Sequence, residues 1–209
     1  MLSILVIIVL SYLAGSIPTS IIISKFFFGF DIREKGSGNA GGTNAFRIMG
    51  WKTGLFVMLI DLSKGVLATY LISQIRIDGL NLPVVIVQII AGISAVTGHI
   101  WTVFAGFKGG KGVGTAAGML LVLYPVSFII CLSIFFLVLL ITRYVSVSSM
   151  SATVSLPIVL LALHQFFGRP FSFPLFILAL IMAVLIVFTH RSNIQRLMNG
   201  SENRIKKIL

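Results

Sequence analysis

Residues 171–189 read FSFPLFILALIMAVLIVFT, a run without a single charged side chain. As a helix, such a run is long enough to cross the hydrocarbon core of a bilayer, which is about 30 Å thick. Similar runs recur along the 209 residues, of which 57% are hydrophobic and only 10% are charged. A soluble domain needs about a quarter of its residues charged. The composition therefore predicts an all-α, polytopic membrane helix bundle that forms a single domain over residues 1–209.

The apolar runs predict seven transmembrane helices. They lie at about 2–24, 53–75, 83–105, 112–123, 125–142, 150–167 and 171–189. Gly15 and Pro18 interrupt the first run, which neighbouring helices in a bundle can tolerate. Residues 112–142 could form one long helix or two helices broken at Tyr124–Pro125, since 112–123 alone would be only about 18 Å long.

The cationic residues predict how the chain is oriented. With seven spans and the N-terminus outside, thirteen cations fall inside and two fall outside, as the positive-inside rule requires. The inside cations are Lys25, Arg33, Lys35, Arg47, Lys52, Lys108, Lys111, Arg143, Arg191, Arg196, Arg204, Lys206 and Lys207, and the outside ones are Arg76 and Arg169. Six spans would put the basic tail and the basic first loop on opposite sides. We therefore predict a cytoplasmic C-terminus.

The net charge of +11 has the same topological explanation. Neither an RNA-binding signature nor a recognition-helix pattern accompanies it, so no nucleic-acid partner is expected. The single Cys131 excludes an internal disulfide. The first apolar residues lack the cationic region and the cleavage site of a signal peptide, which favours a retained span.

Residues 36–47, GSGNAGGTNAFR, are the first segment with unusual chemistry. Its glycines permit positive φ and inward-facing amides, the arrangement of an anion-binding nest. These glycines are Gly36, Gly38, Gly41 and Gly42, and the neutral hydrogen-bonding side chains between them are Ser37, Asn39, Thr43 and Asn44. Arg47 can bind phosphate in a bidentate manner. The alternative is a flexible polar loop, but flexible linkers do not usually carry two Asn, a Thr and an Arg among their glycines. The segment favours a phosphate or carboxylate site.

Residues 98–115, GHIWTVFAGFKGGKGVGT, form the second segment. Its end resembles a nucleotide P-loop only superficially, because Gly112 occupies the Ser/Thr position and no strand precedes it. What remains is a glycine loop, Gly109–Gly110, with Lys111 opening a helix whose N-terminal amides favour anions. His99 is as well explained by helix packing as by a ligand-binding role.

Residues 190–202, HRSNIQRLMNGSE, form the third segment. On a helix His190 and Asn193 share one face, at the membrane boundary. The alternative is an interfacial helix end with snorkelling cations. A weaker element is 143–149, RYVSVSS, in which Ser148 and Ser149 either line the same pocket or cap a helix.

Asp61 and Lys64 lie one turn apart inside the second span. Ionisable groups at membrane depth are unfavourable and normally pair inside the bundle. A structural ion pair is the first interpretation, and direct catalysis is the second. The few Cys and His residues provide no convincing metal site, and no Asp cluster could hold magnesium. We expect no metal and no cofactor, so an enzyme here would act by positioning and electrostatics.

Together the three segments resemble the signature motifs of the acyl-phosphate-dependent glycerol-3-phosphate acyltransferases, the PlsY family. Residues 36–47 resemble the GSGNxGxTNxxR motif, 98–113 the GHxxxxFxxFxGGKGV motif, and 193–202 the NxxRLxxGxE tail. Residues 61–65, DLSKG, are also similar to the family. Gly42 and Gly114 both stand at positions where the family commonly has Ala. Neither change removes a functional group. The match extends from the first span to Glu202, with the motifs in family order.

The resemblance implies an enzyme that moves a fatty acyl group from acyl-phosphate to glycerol 3-phosphate, the first step of phospholipid biosynthesis. It implies a seven-helix monomer in a bacterial inner membrane, with its active site facing the cytoplasm and membrane lipid around it. Carried over by position, the catalytic and phosphate-holding residues would be Ser37, Arg47, Lys111, His190 and Asn193. The substrate-binding residues would be Gly36, Gly38, Asn39, Gly41, Thr43, Asn44, Gly109, Gly110, Ser148 and Ser149.

Three other classes of protein fit the sequence less well. No His is followed five positions later by Asp, so the dyad of acyl-CoA-dependent glycerolipid acyltransferases is missing. An anion transporter remains the alternative function, but such proteins usually have inverted repeats and a midplane site. A non-catalytic membrane scaffold gives no reason for three anion-binding loops on one side.

Overall fold

The computed structural model of the chain describes residues 1–205, and every regular element among them is a helix. The helices are α1 (Leu2–Ser16), α2 (Thr19–Phe28), α3 (Gly42–Met49), α4 (Trp51–Val66), α5 (Val84–Ile100), α6 (Val113–Leu123), α7 (Pro125–Thr142), α8 (Val145–Phe167), α9 (Phe173–Thr189) and α10 (Arg191–Met198). Helix α4 continues through a π-helical turn, Leu67–Leu71, and a 3-10 turn, Ile72–Gln74. The all-α prediction is confirmed. Lys206 and Lys207, two of the predicted inside cations, lie outside the described residues.

Five helical stretches are long and apolar enough to cross a membrane. They are Leu2–Phe28, Trp51–Gln74, Val84–Ala105, Pro125–Thr142 and Val145–Phe167. Helices α9 and α10 together make a sixth candidate that is bent by 56°. Helix α6 is apolar but has only 11 residues. Five of the seven predicted spans thus have a helix of suitable length within residues 1–205, or six if α9 and α10 count as one bent span. The span predicted at 112–123 and the orientation stay predictions.

The break at Tyr124–Pro125 is confirmed, because α6 ends at Leu123 and α7 begins at Pro125. Proline fits the first helical position well since it has no amide hydrogen to leave unpaired there. Helix α8 begins at Val145 rather than at the predicted residue 150. The serines of 143–149 therefore lie on the first turns of a helix.

The chain divides into two compact units, residues 1–123 and the residues from 124 onward. In the first unit, α1 packs along α5, α4 along α6, and α3 against α4. In the second unit, α7 packs along α8 and α8 along α9. The first two motif segments belong to the first unit, and the third segment belongs to the second.

Glycines let the helices of the first unit approach closely. A Cβ atom on Gly15 would overlap the backbone of Ala95, and one on Gly118 would overlap the carbonyl of Leu62. Small residues at such crossings are typical of membrane helix pairs, where van der Waals contact drives association. These contacts fix α1 on α5 and α4 on α6, and the second motif segment connects α5 to α6.

The first predicted span is broken where the sequence places Pro18. Helix α1 ends at Ser16 and α2 begins at Thr19. Carbonyl groups released by such a break need partners inside a membrane. Lys64 Nζ donates to the Ile17 carbonyl at 2.6 Å, and the Thr102 hydroxyl donates to the Ser16 carbonyl. Side chains from two other segments thus stabilise the break.

Candidate active site

The first segment forms a closed loop around the side chain of Asn44. Its amide nitrogen donates to the carbonyls of Ile32 and Lys35, at 3.1 and 3.0 Å, and its amide oxygen accepts the Ser37 N–H at 2.9 Å. Asn44 is only 1% exposed. Both amide hydrogens are used in these bonds. Asn44 therefore shapes the loop, and its predicted contact with substrate stays a prediction.

Positive φ angles at Gly36 and Gly38, 62° and 72°, turn the loop on either side of Ser37. A Cβ atom on Gly36 would overlap the Asn44 amide oxygen. Other residues are disfavoured at both positions because their side chains clash in this conformation. Ser37 is left half-buried at the apex, with its backbone fixed.

A charged clamp, Asp31 with Arg33, ties this loop to the turn of the second segment. The Arg33 guanidinium donates to both oxygens of Asp31, at 3.0 and 2.7 Å, and to the Ala105 carbonyl at 2.9 Å. The Arg33 guanidinium holds the pKa of the Asp31 carboxyl well below its usual range. Arg33 was predicted only as a topological charge, and its link to the second segment was missed because Ala105 lies far away in sequence.

The end of the first segment is helical rather than a loop. Gly41 precedes α3, and Thr43, Asn44 and Arg47 all lie on that helix. Arg47 and Thr43 are half-buried and separated by four residues, so they share one face of α3. The segment thus presents Ser37 and Asn39 from a fixed loop, and Thr43 and Arg47 from a short helix.

The glycines of the second segment close the end of α5. The Gly109 N–H donates to the Ile100 carbonyl and the Gly110 N–H to the His99 carbonyl, both at 3.0 Å. These two amides satisfy the helix end, so they cannot also form an anion nest. The Gly110 backbone packs directly on the His99 ring, where a Cβ atom would clash. Lys111 follows this closure and precedes α6, as predicted.

The buried pair Asp61–Lys64 lies beneath both loops. Lys64 Nζ is 2.6 Å from Asp61 Oδ1, and His99 Nδ1 is 3.7 Å from the same oxygen. The structural ion pair predicted from sequence is confirmed. A small cavity beside it is lined by Asp61, Lys64 and His99 and also by Ala40, Gly109 and Gly110. The first two motif segments thus meet in the first unit, above one buried charge cluster.

In the second unit, the third segment closes on Glu202. Oε1 accepts from Asn193 Nδ2 at 2.6 Å and from Ser146 Oγ at 2.9 Å, and Oε2 accepts from Arg196 Nε at 2.8 Å. Helix α10 ends at Met198, and Gly200, with φ 67°, turns the chain back. The spacing Asn-x-x-Arg places both donors on one turn of α10, facing the returning carboxylate.

The environment of Glu202 favours its charged form. Burial raises the pKa of this carboxyl. Hydrogen bonds from Arg196, Asn193 and Ser146 lower it by more than burial raises it, so the pKa lies below its usual value. The sequence analysis did not place Glu202 in the site. Its only signal was the Glu that ends the motif tail, two residues after Gly200.

His190 precedes α10 and is 3% exposed. Its Nδ1 lies 2.8 Å from the Ile186 carbonyl, which can only accept, so Nδ1 carries the proton. In a neutral ring the lone pair is then on Nε2. This tautomer is the one that a base acting through Nε2 would need.

The serines of α8 are not helix caps. Ser146 donates to Glu202, and Ser148 donates to the Tyr144 carbonyl at 2.8 Å. Tyr144, at the N-cap position, makes no side-chain capping bond. Ser148 and Ser149 are both buried. The capping alternative is therefore wrong, and their predicted contact with substrate stays a prediction.

The helices and polar segments define an all-α integral membrane protein in which the motif segments are held by buried hydrogen bonds and ion pairs. A family description of glycerol-3-phosphate acyltransferases matches residues 5–200. The chain belongs to this family.

Its relatives match over nearly their whole length. A glycerol-3-phosphate acyltransferase of Chlorobium luteolum is 46% identical, over 98% of this chain and 97% of the relative. One from Chlorobaculum tepidum is 47% identical with the same coverage, 98% and 97%.

Two solved structures share the fold. Both are crystal structures of PlsY, an integral membrane glycerol 3-phosphate acyltransferase. Its glycerol 3-phosphate form has a TM-score of 0.84 and 35% identity, over 97% of this chain and 96% of that one. Its lysophosphatidic acid form has a TM-score of 0.80 and 33% identity, over 97% and 95%.

Proposed function

We propose that this chain transfers a fatty acyl group from acyl-phosphate to glycerol 3-phosphate, giving 1-acylglycerol 3-phosphate and inorganic phosphate. The observation that carries the proposal is the match, over nearly the whole chain, to a relative crystallised with the acceptor and with the acylated product. The acyl-phosphate donor is inferred from the motif resemblance and from the missing His-Asp dyad.

The residues proposed for substrate contact fall into two groups. Ser37, Arg47, Lys111, His190 and Asn193 hold the phosphorylated substrate or support the reacting groups. Asn39, Gly41, Thr43, Ser148 and Ser149 complete the binding surface. Gly36, Gly38, Asn44, Gly109 and Gly110 support it by fixing the loops, since their polar groups or backbone contacts are used within the protein.

The reaction needs little activation because acyl-phosphate is a mixed anhydride with a good leaving group. The glycerol hydroxyl adds to the acyl carbonyl, the carbon–oxygen bond to phosphate breaks, and inorganic phosphate leaves. Holding both substrates in place can supply roughly 7–11 kcal/mol of the barrier. Each backbone N–H or side-chain donor to the tetrahedral oxyanion is worth about 2.7–4 kcal/mol in comparable acyl-transfer sites.

The hydroxyl proton has two candidate acceptors. One is a phosphate oxygen of the donor itself, which would make a protein base unnecessary. The other is His190 Nε2, the nitrogen that carries the lone pair when Nδ1–H donates to Ile186. We favour the substrate oxygen. His190→Ala should then keep most of its kcat at saturating substrate, whereas a loss of about a hundredfold or more would assign the base to His190.

The proposed enzyme is a monomer in the inner membrane, with seven spans and a cytoplasmic active site. The charge distribution of the loops supports this orientation. The acyl chain would reach the site from the lipid, between helices.

The direct test compares donors. Purified protein receives labelled glycerol 3-phosphate with either a synthetic acyl-phosphate or the matching acyl-CoA. Product formation with acyl-phosphate and little product with acyl-CoA would support the proposal. The reverse preference would refute it. The transporter alternative makes a separate prediction, uptake of glycerol 3-phosphate into protein-containing liposomes without any lysophosphatidate formed.

A further inference from the structure

The proposed mechanism leaves one buried charge cluster without a role. Asp61 and Lys64 are each 5% exposed, and His99 is 7% exposed. Burying an ion pair in this way gives little stability by itself, because desolvation offsets the attraction. Such a cluster at membrane depth therefore points to a role beyond stability.

Lys64 connects the cluster to the break in the first span. Its ammonium group donates to Asp61 Oδ1 and to the Ile17 carbonyl, both at 2.6 Å. That carbonyl lies at the kink between α1 and α2. Thr19, the first residue of α2, points its hydroxyl at the same Asp61 oxygen, at 3.4 Å. The ion pair thus fixes where α2 leaves the kink, and α2 leads into the first motif segment.

Asp61 connects the cluster to the second motif segment through His99. His99 Nδ1 faces Asp61 Oδ1 at 3.7 Å, and the opposite edge of the ring packs against Gly110. Gly110 also donates its N–H to the His99 carbonyl. Lys111 is the next residue. The orientation of one imidazole ring therefore sets the position of the backbone that carries Lys111.

Asp61 also limits the start of α6. A Cβ atom on Gly114 would lie 3.1 Å from the Asp61 Cβ, so α6 begins in close contact with the carboxylate side chain. The cluster therefore touches α2, the end of α5, the glycine loop and the start of α6. The second motif segment is thus in direct contact with the cluster, and the first motif segment follows α2 and lines the same small cavity through Ala40.

We propose that Asp61, Lys64 and His99 are positioning residues, which set the first two motif segments at the spacing that binds the phosphate of glycerol 3-phosphate. They do not touch the substrate. The inference rests on the proposed function only in assuming that these two segments bind that phosphate. It predicts that disturbing the cluster weakens acceptor binding more than it slows the chemical step.

The test uses Asp61→Asn, Lys64→Met and the double variant in purified, detergent-solubilised or reconstituted protein. A displaced loop should raise KM for glycerol 3-phosphate by about tenfold or more in each single variant, with a smaller change in kcat. Lys64→Met leaves a buried carboxylate unpaired, so the double variant should recover part of the loss. His99→Gln retains a hydrogen-bonding side chain and should bind the acceptor better than His99→Ala.

Asp78→Asn is the matched control. Asp78 is also a carboxylate with several partners, since it accepts from the Leu2 N–H at 2.8 Å and from the Ser3 hydroxyl and N–H at the start of α1. This variant should lower the thermal stability without changing KM. The proposal is overturned if the cluster variants behave in the same way, losing stability while KM stays within about twofold of the unchanged protein.

Measuring the binding of glycerol 3-phosphate by calorimetry makes this test independent of which acyl donor the protein uses. A protein that binds the acceptor but does not use acyl-phosphate would refute the proposed donor while leaving the positioning role testable. Should Lys64→Met fail to accumulate, Asp61→Asn and His99→Gln answer the same question, because each keeps a polar side chain of similar size.

Discussion

At the scale of single residues, two buried side chains hold the polar segments in shape. Asn44 makes three hydrogen bonds inside the first loop. Glu202 accepts two inside the third segment and one from Ser146 on α8. Asn44 bonds to backbone groups of the irregular loop, whereas Glu202 accepts only from side chains. Buried polar groups without partners are rare because each missing bond is unfavourable. These two residues should therefore matter for folding of their segments even without contacting substrate.

Asn44→Ala should destabilise the first loop. It removes the acceptor of the Ser37 N–H, and it removes one of the two donors to each of the carbonyls of Ile32 and Lys35, which keep the N–H groups of Lys35 and Gly38. Unfolding in denaturant should show a loss of about 1–3 kcal/mol, accompanied by reduced activity. Asn44→Asp should do no better, since a carboxylate oxygen would face two carbonyls. Asn81→Ala, at an exposed position, is the control and should leave both quantities unchanged.

The hydrogen bonds of Glu202 should make the free energy of unfolding depend on pH. Its pKa is lowered in the folded protein, so its contribution is present above the ordinary carboxyl pKa of about 4.5 and is lost as pH falls through the lowered folded value. The difference in melting temperature between the unchanged protein and Glu202→Gln should be constant above about pH 6 and should shrink below pH ~4.5. Glu34→Gln, on the surface, provides the comparison. A difference that stays constant down to pH ~3 would contradict this role.

At the scale of helices, close contacts between backbones fix the first unit. Gly65 and Gly118 allow α4 and α6 to cross with backbone against backbone, next to the Asp61–Lys64 pair. The position of α6 in turn affects the position of Lys111, which lies two residues before the helix begins. Packing of small residues therefore has a consequence for the candidate site.

Gly118→Ala should separate α4 from α6, because the new methyl group would overlap the Leu62 carbonyl. Overpacking of this kind typically lowers stability by about 1–3 kcal/mol. Thermal unfolding in detergent measures the effect. Gly79→Ala is a suitable control, since nothing lies within 4 Å of its Cβ position. Equal melting temperatures for the two variants would show that the crossing is not tightly packed.

Sequence reasoning predicted the features that depend on local chemistry. The break at Pro125 and the interruption at Pro18 follow from a residue that lacks an amide hydrogen. The Asp61–Lys64 pair follows from helical spacing. Other features depend on partners distant in sequence, such as Arg33 with Ala105 or Ser146 with Glu202. No spacing rule reveals these, which is why Glu202 was left out of the site.

At the scale of the whole molecule, the three motifs are divided between two compact units, the first two in residues 1–123 and the third beyond them. The family relationship extends across both, because the matching region ends at residue 200. Activity should therefore depend on residues of both units.

The proposed topology can be tested by cysteine labelling in a Cys131→Ser background. With the N-terminus outside, Gly79→Cys and Ser172→Cys should react with an impermeant reagent added to intact cells. Glu34→Cys and Ser201→Cys should react only after the membrane is permeabilised. The charge distribution of the loops is the physical reason. Labelling of Glu34→Cys from outside would show that the orientation is the opposite one and would contradict a cytoplasmic active site.

The most direct test of the proposed chemistry is the ratio of the two products formed in one reaction mixture. Reconstituted protein is given acyl-phosphate and labelled glycerol 3-phosphate, and lysophosphatidate and inorganic phosphate are measured in the same samples. We expect the two products in equal amounts, with both lost in Arg47→Ala and Lys111→Met. Phosphate released without lysophosphatidate, or lysophosphatidate formed only when acyl-CoA is supplied, would contradict the account.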